Sequence, residues 1–301
     1  MNVFVAGGTG TIGRPLVLAL RAAGHLVTVL TRAPGRRAEV EALGARALVA
    51  NALDGEALMA AVRSAQPTHV IHQLTALPKA GPRRAKDLED TNRLRIDGTR
   101  NLLRAAIAAG AERFVAGSFA LLAPRDAADE MQGAAAAAVR SLETQVLEAT
   151  RQGSIEGVVL RYGMFYGPET PSTAAMIALV RKRRLPVVRG DSGLLPVVHV
   201  DDAVSATVRA LSGGFPGSLY DIVDDRAVSL TDIVETIAEY THSARPLRVP
   251  GWMPRLFAPY MTRMTSIRLP LSNARAKAEL GWTLKYPTIR EGLARMCPQA
   301  A

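Results

Sequence analysis

The segment Val3-Phe4-Val5-Ala6-Gly7-Gly8-Thr9-Gly10-Thr11-Ile12-Gly13 decides the fold of this chain. An apolar strand runs into a turn whose glycines satisfy both the G-x-G-x-x-G and the G-x-x-G-x-x-G spacing. Small residues let the backbone turn sharply and approach a pyrophosphate, which the N–H groups opening the next helix bind. The pattern therefore predicts a dinucleotide-binding turn. The residues predicted to contact the dinucleotide there are Gly7, Thr9, Gly10, Thr11, Ile12 and Gly13.

Apolar runs alternate with alanine-rich segments along the first half of the chain. The runs predicted as strands are 2–6, 26–30, 46–49, 69–73, 113–118 and 157–161, with helices over 13–23, 38–43, 54–65, 87–109 and 134–152. Such alternation forms parallel βαβ units, so the predicted class is α/β, a Rossmann-type doubly wound parallel sheet.

The regular alternation of predicted strands and helices ends after residue 167. Helices are predicted over 173–184, 201–211 and 229–241, a strand near 219–223, and an irregular stretch over 246–270. We therefore expect residues 1–167 to form the dinucleotide-binding domain. Residues 168–301 are expected to form mainly a smaller C-terminal substrate-binding lobe, with some elements returning to the first domain.

Composition excludes several classes of protein. With 301 residues, 48% hydrophobic and 21% charged, the chain is expected to be globular. The net charge is +10, but the arginines that produce it are spread along the chain, so no nucleic-acid partner is predicted. No apolar run approaches the roughly 20 residues of a membrane span. The single Cys297 and the scattered histidines predict a protein without a metal site. The lack of a leader pattern, together with the single cysteine, predicts a cytoplasmic protein.

The residues after the second predicted strand indicate which dinucleotide is bound. An NAD site has an acidic residue there that accepts from the ribose 2′-hydroxyl. Residues 29–37 carry no carboxylate and present Arg32, Arg36 and Arg37. Charge-assisted hydrogen bonds to a phosphate are worth roughly 1.5–3 kcal/mol each, so NADP(H) is the predicted cofactor. Asn51, after the third strand, is predicted to reach the adenine.

Further motifs follow the glycine turn. They are Val70-Ile71-His72, Gly98-Thr99-Arg100-Asn101-Leu102-Leu103, Leu160-Arg161-Tyr162-Gly163, Tyr166-Gly167-Pro168, Val198-His199-Val200-Asp201-Asp202 and Leu280-Gly281-Trp282. Together they resemble the extended branch of the short-chain dehydrogenase/reductase superfamily, the sugar epimerase/dehydratase relatives. The resemblance implies a C-terminal substrate lobe and a nicotinamide site. The residues it implies along that site are Gln73, Leu74, Thr75, Ser118, Tyr162, Gly163, Met164 and Phe165.

The chain departs from that family at the residues that move protons. Family members carry Tyr-x-x-x-Lys on the helix after the fifth strand, and alignment on Glu143 puts Ala135 and Val139 at those positions. The family's Ser/Thr partner corresponds to Phe119, with Ser118 one residue earlier. The asparagine that usually stands three residues before Gly98 corresponds to Arg95, with Asn92 nearby. The catalytic acid is therefore unknown from the sequence.

Another residue could replace the missing acid, and a packing role competes for each candidate. Ser118 is the first candidate, and a buried serine bonded to the backbone is an equally good interpretation. The others are Thr75, Tyr162, Tyr166 and His199. For His199 a structural role is favoured, because Asp201 and Asp202 behind it suggest helix capping.

Two further explanations remain open. A substrate whose phenol or enol lies next to its ketone carries its own proton, so orientation against NADPH suffices. Alternatively, the chain is a non-catalytic NADP-binding regulator. We favour an NADPH-dependent ketoreductase of an aromatic polyketide-type ketone, because the chain resembles the tyrosine-lacking ketoreductases of angucyclinone pathways. A sugar-nucleotide epimerase or dehydratase is disfavoured, because it needs a base here.

A flat aromatic ketone needs adaptable apolar surface, which methionine and aromatic side chains provide. The residues predicted to contact it are Phe119, Ala135, Tyr166, Trp252, Met253 and Met261. A homodimer through the helices 87–109 and 134–152 is expected by analogy only.

Overall fold

A seven-stranded sheet, all of it parallel, organises the molecule. The computed structural model describes residues 1–78, 81–82, 84–122, 133–188, 193–250, 252–253, 268–269 and 271–296. The strand order is β10-β6-β5-β4-β1-β2-β3, with the first strand near the centre. This is a doubly wound Rossmann-type sheet, so the predicted fold class is confirmed. Each helix within these ranges is too short or too polar to cross a bilayer.

The elements alternate as the sequence predicts. The strands are β1 (Asn2–Ala6), β2 (Leu26–Thr31), β3 (Arg46–Val49), β4 (His69–His72), β5 (Arg113–Phe119), β6 (Glu156–Tyr162), β7 (Met164–Tyr166), β8 (Val187–Val188), β9 (Val197–His199), β10 (Ser218–Ile222) and β11 (Arg248–Val249). The helices are α1 (Gly13–Ala22), α2 (Arg37–Ala42), α3 (Gly55–Ala65), α4 (Glu89–Arg93), α5 (Thr99–Ala108), α6 (Gly133–Arg151), α7 (Pro171–Arg181), α8 (Val200–Arg209), α9 (Leu230–Tyr240), α10 (Ala274–Leu280) and α11 (Ile289–Met296).

Both faces of the sheet are covered, because successive strand residues point to opposite sides. On β1, Val3 and Val5 join the core beneath α1 and α8, whereas Phe4 and Ala6 join the core beneath α3, α5 and α6. A strand segment buried on both faces is expected to be apolar, as residues 3–6 of β1 are. The carboxyl ends of the parallel strands consequently meet at one edge of the sheet.

The structure differs from the predicted elements in two places. The predicted helix 87–109 is interrupted by a π-helical turn over Leu94–Gly98, which separates α4 from α5. The helices α10 and α11 and the strands β7, β8, β9 and β11 were not predicted. The four strands contain two or three residues each, too few for a periodic signal.

Elements from the second half return to the main sheet. The strand β10 pairs in parallel with β6, and α8 packs on α1. Trp282, which is 1% exposed, donates from Nε1 to the carbonyl oxygen of Asp202 at 3.1 Å. The Asp202 carboxylate in turn accepts from the backbone N–H groups of Lys285 and Tyr286. This contact fixes the C-terminal segment against α8. The boundary at residue 167 stays a prediction.

We expect Trp282→Ala to lower the free energy of unfolding by about 3–5 kcal/mol, because it removes a buried ring and leaves a cavity. Urea unfolding followed by circular dichroism measures the change. The matched control is Trp252→Ala, at a tryptophan that is 64% exposed, for which a change within about 0.5 kcal/mol is expected. Equal effects of the two substitutions would show that Trp282 is not the anchor.

Candidate functional site

In the glycine turn (Gly7–Gly13), backbone atoms leave no room for side chains at Gly7 and Gly13. Gly7 has φ +98°, and a Cβ there would lie 2.4 Å from the carbonyl oxygen of Gln73. A Cβ on Gly13 would lie 2.1 Å from the carbonyl oxygen of Gly7. Gly10 is exposed at the tip of this tightly packed turn, and the unpaired N–H groups that open α1 follow it. This cradle fits the pyrophosphate of a dinucleotide.

Arginines surround the turn. Arg36 donates from Nη1 to Oγ1 of Thr9 at 2.9 Å, so it bridges the loop after β2 and the glycine turn. Arg32 is exposed in the same loop, and Arg37 is exposed at the start of α2. Arg14, absent from the sequence prediction, pairs with Glu39, whose other carboxylate oxygen lies 4.0 Å from Arg36 Nε. The position of Arg14 directly after the last glycine was the signal that could have revealed it.

Asn51 lies in the exposed loop after β3. Its Oδ1 accepts from the backbone N–H of Leu53 at 3.1 Å, which closes a tight turn. The structure therefore gives its carboxamide oxygen a local role. The adenine contact predicted for Asn51 stays a prediction.

Two of the residues predicted to line the nicotinamide, Gln73 and Tyr162, are joined by a hydrogen bond. Gln73 donates from Nε2 to the Tyr162 hydroxyl at 2.9 Å, and that hydroxyl lies 2.7 Å from Oγ1 of Thr207. Burial raises the pKa of Tyr162 to about 12, although both hydrogen bonds act in the opposite direction. Tyr162 is thus held as a neutral phenol with both neighbours in place. These contacts argue against an acid role for Tyr162.

Ser118 is bound to a buried ion pair. Its Oγ donates to Oε1 of Glu143 at 2.7 Å, and Arg161 bonds both oxygens of the same carboxylate at 2.8 and 2.7 Å. The partner of Ser118 is therefore a carboxylate from α6, not the backbone. A hydroxyl that donates to a carboxylate is engaged as a structural donor, which argues against an acid role for Ser118.

An apolar wall, formed by Phe119, Leu122, Ala135 and Val139, lies between the end of β5 and the start of α6. Leu122 and Val139 are buried, and Phe119 and Ala135 are partly buried against them. None of these side chains carries a group that can donate a proton. The predicted positions Phe119 and Ala135 are therefore brought together. Thr75 is exposed next to the end of β4, and Gly163, Met164 and Phe165 follow β6.

Tyr166 is buried in the C-terminal part of the fold. Its hydroxyl donates to Oδ2 of Asp224 at 2.9 Å. Burial, followed by the charge of Asp224, raises the pKa of Tyr166 above its ordinary value. The phenol is therefore held in a structural contact, and the predicted substrate contact of Tyr166 stays a prediction.

The cap of α8 differs from the prediction. His199 is the N-cap residue, and its Nδ1 accepts from the backbone N–H of Asp201 at 3.1 Å. Burial lowers the pKa of His199 to about 4, so the ring is neutral and can accept. The prediction that Asp201 and Asp202 cap this helix was wrong, because a neutral imidazole nitrogen one residue before the helix supplies the acceptor.

The stretch predicted to bind an aromatic ketone is only partly described. Trp252 is exposed and Met253 is half-buried. Met261 lies outside the described residues. Within the described ranges, no group of three His, Cys, Asp or Glu side chains is arranged to hold a metal ion.

Known proteins resemble this chain over its whole length. Residues 3–222 match the model of the NAD dependent epimerase/dehydratase family. A UDP-glucose 4-epimerase from Thermus thermophilus, solved in complex with NAD, superposes with a TM-score of 0.76 and 26% identity over 99% of each chain. A nicotinamide dinucleotide is therefore the cofactor class that these comparisons support.

Two curated relatives are reductases. A 3-diazoavenalumate denitrifying reductase from a Streptomyces species is 38% identical over 98% of this chain and 100% of its own length. The 4-hydroxy-2-methyl-3-oxo-4-farnesyl-3,4-dihydroquinoline-1-oxide ketoreductase of Stigmatella aurantiaca is 28% identical over 79% of this chain and 73% of its own length. Reduction is the activity that these two proteins share.

The buried carboxyl of Asp224 makes stability depend on pH. Asp224 is 4% exposed, and burial raises its pKa to about 8 in spite of the Tyr166 hydrogen bond. The folded state then holds a proton that the unfolded chain releases above about pH 4. From about pH 4 to 8 this group lowers the free energy of unfolding by up to about 1.4 kcal/mol per pH unit.

We therefore expect Asp224→Asn to be more stable than the native chain, by a margin that grows from pH 5 to pH 8. Urea unfolding at several pH values measures the difference in the free energy of unfolding between the two chains. The contributions of titratable groups that both chains share cancel in this difference. Asp225→Asn is the matched control. Burial acts to raise the pKa of Asp225, but hydrogen bonds from Asn273 and Lys277 lower that pKa overall. Removing the carboxylate of Asp225 should therefore destabilise the protein. A margin that stays constant with pH would contradict the prediction.

Proposed function

Because this chain belongs to the NAD dependent epimerase/dehydratase family, we propose that it is a reductase that brings a nicotinamide cofactor against an aromatic acceptor needing no proton from the protein. The observation that carries the proposal is the apolar wall beside the sheet edge, with Ala135 and Val139 on α6. The nearby hydroxyls of Ser118 and Tyr162 are engaged within the fold. The reductase relatives support the direction of the reaction.

We assign the cofactor as NADP(H). When bound, its reduced form supplies hydride. The glycine turn would hold the pyrophosphate, and Arg32, Arg36 and Arg37 would bind the 2′-phosphate, with Arg14 beside them. Arg36 is already positioned by its bond to Thr9. Residues 73–75 and 162–165 would line the nicotinamide, and the lobe 168–301 would supply further contacts to the acceptor.

An arenediazonium group is the acceptor that this site suits best. One hydride added to ArN₂⁺ gives ArH and N₂, so charge and atoms balance without a proton. A general acid, which typically contributes about 10²–10⁴-fold to reductions of ketones, is then unnecessary. The 38% identical relative is named for a diazo substrate and a denitrifying reaction. The residues that remain have only to orient the ring and exclude water.

An aromatic ketone is the second candidate, which the ketoreductase relative favours. Hydride addition to C=O leaves an alkoxide that requires a proton. A phenol next to the carbonyl can supply it, as expected for an angucyclinone-like polyketide ketone. A non-catalytic NADP-binding regulator would keep the cofactor cradle and turn over neither acceptor. A sugar-nucleotide epimerase would need a base at the apolar wall.

Acceptor specificity is tested by incubating the native protein with NADPH and either ortho-hydroxybenzenediazonium or ortho-hydroxyacetophenone. We expect NADPH oxidation with equimolar N₂ release from the diazonium, measured by absorbance and by mass spectrometry with isotopically labelled nitrogen. A reaction without protein corrects for spontaneous reduction. Turnover of the ketone alone, lost when its hydroxyl is methylated, would favour the second candidate. NADPH binding without turnover of either acceptor would contradict the proposal and favour the regulator.

The cofactor assignment is tested by Arg32→Asp. We expect its NADPH dissociation constant to rise about tenfold or more, because a charge-assisted phosphate contact is lost and a like charge is introduced. NADH affinity should not fall. Fluorescence titration of both cofactors measures the ratio, and Arg104→Asp, at an exposed arginine of α5, is the control. An unchanged NADPH to NADH ratio would show that the phosphate binds elsewhere.

A further inference from the structure

Two threonines of the helical segment after β4 bond to residues on either side of the stretch 73–75. Thr91 Oγ1 accepts from the backbone N–H of Ala76 at 3.0 Å. Thr99 Oγ1 lies 2.8 Å from Nε2 of His72. These two contacts fix the helical segment against both ends of residues 73–75, the stretch proposed to line the nicotinamide.

Arg95 lies midway between those two threonines. It is four residues from each along this helical segment. The side chain is buried, with 7% exposure. Burial and then the charge of Arg95 lower the pKa of His72 to about 4, as expected for a guanidinium close to that ring. A cation is therefore buried at the carboxyl end of β4.

The backbone at Arg95 is irregular. Residues Leu94–Gly98 form the π-helical turn, and such turns inside helices occur frequently at functional sites. The turn is held against α6 by Gln145, whose Nε2 donates to the carbonyl oxygen of Ile96 at 3.1 Å. The segment that carries Arg95 thus packs on α6, the helix whose first turns carry Ala135 and Val139.

We propose that Arg95 is the anion-binding residue of the substrate site, and that it selects an aromatic ring carrying an ionised hydroxyl or carboxylate. The ring would pack on the apolar wall while the guanidinium donates to the anion. Guanidinium–carboxylate and guanidinium–phenolate contacts are stronger away from water, where charge-assisted hydrogen bonds are less screened. This inference rests on the proposed function, since it concerns the acceptor of the same site.

The experiment uses salicylate as the probe and the full-length protein saturated with NADPH. Fluorescence titration compares salicylate with its neutral amide, salicylamide, in the native chain, Arg95→Gln and Arg95→Lys. We expect Arg95→Gln to bind salicylate at least tenfold more weakly, Arg95→Lys to recover part of the loss, and salicylamide to be affected little. Arg93→Gln, at an exposed arginine of α4, is the matched control and should behave as the native chain.

A structural role for Arg95 would give a different result. Arg95→Gln would then lower the thermal midpoint while salicylate still bound as in the native chain, and this outcome overturns the proposal. Equal affinity of the native chain for salicylate and salicylamide, or no binding of either, also overturns it. If Arg95→Gln does not fold, the salicylate affinity of Arg95→Lys is compared with that of the native chain instead.

The experiments distinguish a failure of the Arg95 proposal from a failure of the proposed reaction. Acceptor turnover by the native chain together with unchanged salicylate binding in Arg95→Gln removes the Arg95 inference alone. Loss of salicylate binding in Arg95→Gln, with no acceptor reduced by the native chain, supports the inference and removes the proposed reaction.

Discussion

The close approach of the glycine turn to the end of β4 is the constraint on which the site depends. Side chains are excluded at Gly7 and Gly13, because backbone atoms already occupy the space that a Cβ would need. The turn therefore meets the end of β4 backbone to backbone at Gly7, and at Gly13 it packs against itself. Since all strands of the main sheet are parallel, β5 and β6 also end at this edge. The proposed cofactor cradle and the proposed acceptor site consequently share one edge of the sheet.

Polar groups at that rim are used to hold the fold together. Ser118 donates to the Glu143–Arg161 pair, and Tyr162 is fixed between Gln73 and Thr207. Leaving a buried donor or acceptor unsatisfied costs about 1–3 kcal/mol, so releasing one of these hydroxyls for proton transfer would cost stability. The site therefore favours acceptors that complete their reduction without a proton from a side chain.

The sequence predicts the parts of this protein that depend on local spacing. The main strands, the glycine turn and most helices follow from apolar periodicity and small residues, and their bounds agree with the structure to within a few residues. Partners distant along the chain could not be predicted. Tyr166 binds Asp224 and Trp282 binds Asp202, pairs separated by 58 and 80 residues, and no local pattern encodes either contact.

Prediction from the sequence also failed where two different side chains could cap the same helix. Aspartates are preferred caps, yet the imidazole of His199 caps α8, because burial keeps the ring neutral. Burial depends on the tertiary packing around the residue, so residue type alone could not decide the cap. The same limit applies to Arg95. Its position in the sequence could be noted, but its burial beside His72 appears only in the folded chain.

The proposed diazonium acceptor and the proposed role of Arg95 constrain each other. A bare arenediazonium is a cation, and two like charges about 4 Å apart repel by about 4 kcal/mol at an effective dielectric constant of 20. That repulsion would nearly cancel the gain from packing a ring on the apolar wall. An ionised oxygen on the same ring changes the sign of the interaction, because it neutralises the diazonium charge and accepts from the guanidinium. The proposed site, with Arg95 buried and no side chain among its described residues assigned as the acid, therefore selects an acceptor that supplies both the electrophile and the anion.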